Sequence, residues 1–307
     1  MFDFAISQMT TSRWELPVEV SRIVEHGYDA IAAWRPKVSD LGVAAAAATV
    51  AAAGVRVSSL QWTGGFTGGD GRSFDESIDD ALDAIEMAEG LAAPVVVVHS
   101  GCRGGHTRSH AARLLWQALE MLAPRAARAG VTLALKPMHP TSAAGCSFVT
   151  RLAEGLELVE RLDVPAVRLA VDLWQWGDDP QLRSLLPRVA EAAAVVQVAD
   201  RVGPPATGGD RLPPGHGTLP LEEIVADLLE AGFSGDVEFD PIGEAVEGLG
   251  YDAVLAETRR VAADWSGRLA AGLSQPVELP RPHLRSGHFR GAGSRRSHAS
   301  SHTVSPG

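Results

Sequence analysis

The sequence predicts a (β/α)₈ barrel, and three observations carry that prediction. Strand-like and helix-like segments alternate eight times over about 270 residues, which suits a closed parallel barrel better than an open sheet. The loops after the strands are long, as in 63–72, 137–146 and 201–217, while those after the helices are short. Four strand-like runs, at 133–137, 169–175, 195–200 and 236–241, carry a polar residue near one end. A doubly wound sheet is the alternative, but no glycine-rich phosphate fingerprint follows the first strand.

Each unit is justified by its own pattern. Short β-branched runs mark the strands, and apolar spacing of three and four marks the helices. FDFAIS (2–7) precedes a helix at 16–27, and AIAAW (30–34) precedes the alanine-rich 38–54. VRVSSLQW (55–62) precedes 73–91, where Ser73 and Glu76 form a capping box. APVVVVHS (93–100) leads to 109–130, and TLALKPM (132–138) to 148–162. VRLAVDLW (167–174) leads to 180–192, AVVQVAD (194–200) to 219–232, and DVEFDPI (236–242) to 251–269. Gly27, Gly54, Gly130 and Gly232 fall just past helices, where a left-handed cap residue belongs.

Residues 1–270 thus read as one barrel domain and 271–307 as a tail. The tail is rich in Pro, Gly, Ser, His and Arg, and its composition predicts disorder. His283, His288, His298 and His302 lie there at irregular spacing, so a solvated tail is the expected reading rather than a metal site.

The net charge of −11 argues against nucleic acid or an anionic membrane as the main partner. Residues 275–307 carry five Arg and one Glu, leaving −15 on residues 1–274. Cys102 and Cys146 show neither metal-ligand spacing nor a disulfide framework, which suits a cytoplasmic setting. MFDFAISQMT lacks the pattern of a secretory leader, and no apolar run reaches membrane-spanning length. The 307 residues contain two lysines, Lys37 and Lys136, against 25 arginines. A lysine at a strand end is therefore unusual for this chain.

Strand ends on one face of a barrel converge on one pocket. Lys136, Asp172, Gln197 and Glu238 would meet there: two carboxylates, an amide and an ammonium. Around them stand His139 on the following loop, His99 at the end of the fourth strand, and His216 between two glycines. His99 faces the mouth if Val98 faces outward. Trp34 and Arg35 end the second strand and suit stacking on a ring and binding an anion. Arg201 is a second anion candidate. Trp62, Trp174 and Trp176 would wall the pocket or pack in the core.

Read with their neighbours, these residues resemble the sugar phosphate isomerase/epimerase superfamily, the xylose-isomerase-like TIM barrels. WRPKVSDLG (34–42), LALKPMHP (133–140), VDLWQW (171–176), VVQVAD (195–200), PGHGTLPL (214–221) and VEFDP (237–241) carry the resemblance over residues 1–268. It implies a divalent metal, Mn, Mg, Co or Zn, at the mouth and glutamates that shuttle a proton beside a carbonyl. Asp172, Gln197 and Glu238 match three of its four ligands. Two positions depart: Lys136 stands where the family has Glu, and Gln175 where it has His. Barrels of this type often pair, so a homodimer is an expectation.

Lys136 opposes a metal. At 4 Å an ammonium repels a divalent ion by roughly 8 kcal/mol at an effective dielectric near 20. Three readings follow. In the first, the enzyme moves a proton next to a carbonyl of a small polyhydroxylated or keto substrate without the metal. Glu238 would be the base, Lys136 the electrostatic stabiliser or Schiff-base amine, and His139 or His216 the second acid/base. Asp172, Gln175 and Gln197 would orient substrate or lysine. In the second, Lys136 is a strut between Asp172 and Glu238 in a non-catalytic ligand- or partner-binding descendant. The third retains a metal on Asp172, Gln197 and Glu238.

Overall fold

The computed structural model describes residues 3–143 and 145–271. Eight parallel strands close into a barrel in chain order. They are β1 (Phe4–Ser7), β2 (Ala30–Trp34), β3 (Arg56–Gly64), β4 (Val95–His99), β5 (Thr132–Leu135), β6 (Val167–Asp172), β7 (Ala193–Val198) and β8 (Asp236–Phe239). Pairing of β1 with β8 completes the ring. The barrel predicted from the sequence is thus the observed fold. From residue 272 onward the expected tail, with its four histidines, lies outside the described residues.

The helices that follow the strands are α1 (Leu16–Glu25), α2 (Arg35–Leu41), α3 (Val43–Ala52), α4 (Phe74–Gly90), α5 (Arg108–Arg128) and α6 (Leu152–Leu162). After them come α7 (Leu173–Trp176), α8 (Leu182–Ala192), α9 (Leu221–Glu230), α10 (Glu244–Leu249) and α11 (Tyr251–Ala270). The Ser73–Glu76 capping box is present in both directions. The single helix expected over 38–54 is two. Gly42 takes φ +86°, a left-handed conformation that breaks the helix, and Pro36 starts α2 earlier than expected. The short helices α7 and α10 lack enough turns for an apolar period and are not visible in the sequence pattern. Among the described residues no helix is long and apolar enough to cross a membrane.

Two apolar layers hold the barrel. The larger lies between the strands and the helices and includes Val96, Val98, Leu133, Leu135, Leu169, Val171, Val196 and Val237. The alternate residues point inward, where Val95, Val97, Ala134, Ala170 and Val195 fill the lower barrel. Period-two alternation then fixes what comes next on the inner face. His99 follows Val97, Lys136 follows Ala134, Asp172 follows Ala170, and Gln197 follows Val195. Val98 does face outward, as the placement of His99 requires.

Candidate functional site at the C-terminal mouth

Register places the polar side chains at one height. Asp172 pairs with Gln197 across β6 and β7, and Gln197 with Glu238 across β7 and β8. Lys136 sits one residue beyond β5, its backbone N–H still bonded to Val98 O at 2.9 Å. All four side chains are buried.

The Lys136 ammonium lies 2.9 Å from Asp172 Oδ2 and donates to Gln197 Oε1 at 2.5 Å. It makes no contact of this kind with Glu238. The strut expected between Asp172 and Glu238 is therefore a relay: Gln197 Nε2 donates onward to Glu238 Oε2 at 3.2 Å. Ser58 Oγ donates to Glu238 Oε1 at 2.7 Å and Gln61 Nε2 to Oε2 at 3.2 Å.

A second cation, not anticipated from the sequence, completes the cluster. Arg211, in the loop after β7, reaches Asp172 with both terminal nitrogens at 2.9 and 3.1 Å. It also donates to Asp240 Oδ1 at 2.7 Å and lies 5.0 Å over the Trp174 ring. Antiparallel bridges of Asp200 with Leu212 and of Arg211 with Ile242 hold the loop down. A loop arginine 13 positions past the end of its strand has no periodic signal, whereas Asp240 is legible as the next inward position after Glu238.

These contacts set the charge states. Burial opposes ionisation of Asp172, but Arg211 and Lys136 hold its carboxyl well below the usual range. Burial pushes Glu238 up, against the hydrogen bonds of Ser59, Ser58 and Gln197. Asp240 is pushed up to about 7 by burial and by neighbouring Asp172, partly offset by Arg211. His99 is lowered to about 3 by burial and by the Lys136 charge, and its ring stacks on Trp62 at 5.2 Å. Environments that drive carboxyl groups apart in this way are characteristic of sites that exchange protons.

As arranged, the donor set does not fit a divalent cation. Both oxygens of Asp172 and the amide oxygen of Gln197 face cationic groups of the chain itself. Among the described residues no three His, Cys, Asp or Glu side chains group as a metal site.

The remaining candidates divide. Trp34, Arg35 and His99 line cavities at the mouth. His139 and Gln175 adjoin, the His139 backbone N–H donating to Gln175 Oε1 at 2.9 Å while its ring Nδ1 meets Thr141 Oγ1 at 2.7 Å, and both line a separate cavity of about 430 Å³. His216 is drawn away to α11, where its Nε2 lies 2.9 Å from Glu257. Neither anion candidate is free: Arg35 holds Asp80 with both terminal nitrogens, and Arg201 is bound to Asp178. Trp174 backs Arg211, while Trp176 donates to Pro137 O at 3.3 Å. Trp62 is exposed at the rim.

The fold agrees with comparisons to known proteins. A family model described as xylose isomerase-like TIM barrel matches residues 20–256. No curated protein sequence matches. Among solved structures, protein SMc04130 from Sinorhizobium meliloti 1021 is 27% identical over 85% of this chain and 97% of its own, with a TM-score of 0.77. The IOLI protein, solved with a binding zinc atom, is 19% identical over 87% and 99%, at 0.75. The 3-keto-D-glucoside 4-epimerase YcjR from E. coli is 15% identical over 87% and 100%, at 0.71. With a model match over most of its length, the chain belongs to the xylose isomerase-like TIM barrel family.

Proposed function

We propose that this chain is a proton-transfer enzyme of the sugar isomerase/epimerase type in which Lys136 and Arg211 take the place of the divalent metal. It would act beside the carbonyl of a small polyhydroxylated or keto substrate, giving isomerisation, epimerisation or dehydration. One observation carries the reading: two cations of the chain converge on Asp172, the residue the resemblance assigns to the metal. An ammonium or guanidinium so placed stabilises a developing enolate or alkoxide, the task the metal performs elsewhere in the family.

Glu238 is the base. It is held by Ser58, Gln61 and Gln197, and Gln61 also lines a cavity open to the mouth. Asp240, which shares Arg211 with Asp172, takes the second acid/base role first expected of His139 or His216. The rings of those two histidines bond elsewhere, His139 Nδ1 to Thr141 Oγ1 and His216 Nε2 to Glu257.

The test is hydrogen exchange. The protein, stripped of metal by chelation, is incubated in D₂O with a panel of ketoses, aldoses and 3-keto-glycosides, and deuterium at the carbon beside the carbonyl is read by NMR. Exchange that survives chelation and vanishes in Glu238→Gln supports the reading. Exchange seen only with added Mn²⁺ restores ordinary metal dependence. A second reading, a ligand-binding descendant without turnover, is favoured by a specific observation. Lys136, Asp172, Gln197 and Glu238 line neither the mouth cavities of Trp34, Arg35 and His99 nor the cavity of His139 and Gln175. It predicts ligand binding with no exchange.

A further inference from the structure

Three cavities adjoin along the β1–β4 side of the mouth. One of about 510 Å³ lies between the β1–α1 loop and α2, walled by Trp14 and Trp34. A second of about 320 Å³ shares Trp34 and Pro36 with it and extends to Gln61 and Trp62. A third of about 260 Å³ shares Arg35 and Trp62 with the second and reaches His99. An indole therefore recurs in each section: Trp14, Trp34 and Trp62.

The cations along this groove are already paired. Arg13 lies 3.3 Å from Glu247, Lys37 2.9 Å from Glu19, Arg35 3.0 Å from Asp80, and Arg72 2.6 Å from Asp70. Each carboxylate partner cancels the charge that would draw a phosphate or carboxylate. What remains is flat aromatic surface beside fixed donors and acceptors. That combination suits a neutral ring with one C–H face and a rim of hydroxyls. Cavities of roughly 300–1,000 Å³ typically hold one drug-sized ligand, so a single sugar ring leaves most of three adjoining cavities empty.

We propose that the groove binds a neutral oligosaccharide or glycoside of two or more rings, with the ring at Gln61 presented toward Glu238. This deepens the proposed function and rests on its assignment of a sugar-type substrate. Trp34 is the shared wall of the first two sections and so sits between two bound rings. Gln61 is the one groove residue bonded to Glu238, at 3.2 Å.

The experiment measures binding of the full chain by calorimetry and tryptophan fluorescence. The probes are glucose, cellobiose, cellotriose, maltose, maltotriose, xylose, xylobiose and glucose 6-phosphate. The expected result is affinity rising roughly tenfold per added ring in at least one series, the worth of one good ring contact. Trp34→Ala should abolish that rise and Trp34→Phe retain most of it, with circular dichroism showing both variants folded. Equal affinity for one ring and three, or tighter binding of the phosphate, overturns the inference. So does an unchanged chain-length dependence in Trp34→Ala. If monosaccharides exchange deuterium but no oligosaccharide binds, the groove assignment fails and the proposed enzyme stands. If oligosaccharides bind and nothing exchanges, the groove stands and the enzyme reading fails. If no probe binds and nothing exchanges, both fail.

Discussion

Lys136→Met deletes the ammonium while keeping a long, flexible side chain at the β5 end. At 2.9 Å from Asp172 Oδ2, the ion pair is worth about 6 kcal/mol by Coulomb's law with an effective dielectric near 20. Desolvating the lysine offsets part of this, and removal of one partner of a buried pair costs about 3–5 kcal/mol in practice. Asp172 keeps both bonds from Arg211, which moves the expectation to the low end, about 3 kcal/mol. The amide oxygen of Gln197 loses its donor as well. With a urea slope of about 3 kcal/mol per molar, the unfolding midpoint should fall by about 1 M. A Lys136→Met/Asp172→Asn double variant should lose at least about 1 kcal/mol less than the sum of the two singles. A midpoint for Lys136→Met within about 0.2 M of the parent chain would refute the idea that this ammonium holds the mouth together.

Other perturbations address the same cluster. A Lys136→Glu/Arg211→Met double variant should gain a stoichiometric Mn²⁺ or Co²⁺ by calorimetry that the parent chain does not bind, since the first change restores a third carboxylate beside Asp172 and Glu238 and the second frees both oxygens of Asp172. The His99 imidazole is lowered to about 3, so the folded state binds fewer protons than the unfolded state below about pH 6.5. Its contribution to stability is present above pH 6.5 and is lost as pH falls toward 3. The loss approaches about 1.4 kcal/mol per pH unit. His99→Phe, which keeps a ring against Trp62, should flatten the fall in urea midpoint between pH 6.5 and 5. Arg211→Met leaves Asp172 and Asp240 without their shared guanidinium, and amide exchange in residues 201–217 should quicken at least tenfold if that contact holds the loop.

The barrel was legible because eight strands repeat one local grammar: alternation in the strand, apolar spacing in the helix, glycine at the exit. The same alternation made Lys136, Asp172 and Gln197 legible, since each is the next inward position after a small apolar residue, and Glu238 stands out as a carboxylate between Val237 and Phe239. Arg211 was not, because a long loop fixes no direction for its side chains until it is pinned at Leu212 and Ile242. His216 misled for the same reason. It stands beside the mouth in sequence, but its partner is Glu257, 41 residues later. Arg35 and Arg201 looked like anion sites because their carboxylates, Asp80 and Asp178, lie on other elements. Composition shows how many charges a chain has, and only the fold shows which of them are spent on each other.

The contact of His216 with Glu257 also ties the loop after β7 to α11. Helix α11, which carries Glu257, is fastened to the exit of α1. Arg259 Nε donates to Gly27 O at 2.9 Å, Tyr28 donates to Leu255 O at 3.0 Å, and His26 meets Asp252 at 3.0 Å. The loop bearing Arg211 is thereby moored to the seam between α1 and α11. A displacement of α11, by a fused partner or by cutting the chain ahead of Glu257, would reach the arginine over Asp172 through the His216–Glu257 contact. Where a tag is attached thus becomes an experimental variable for the chemistry at the mouth of the barrel.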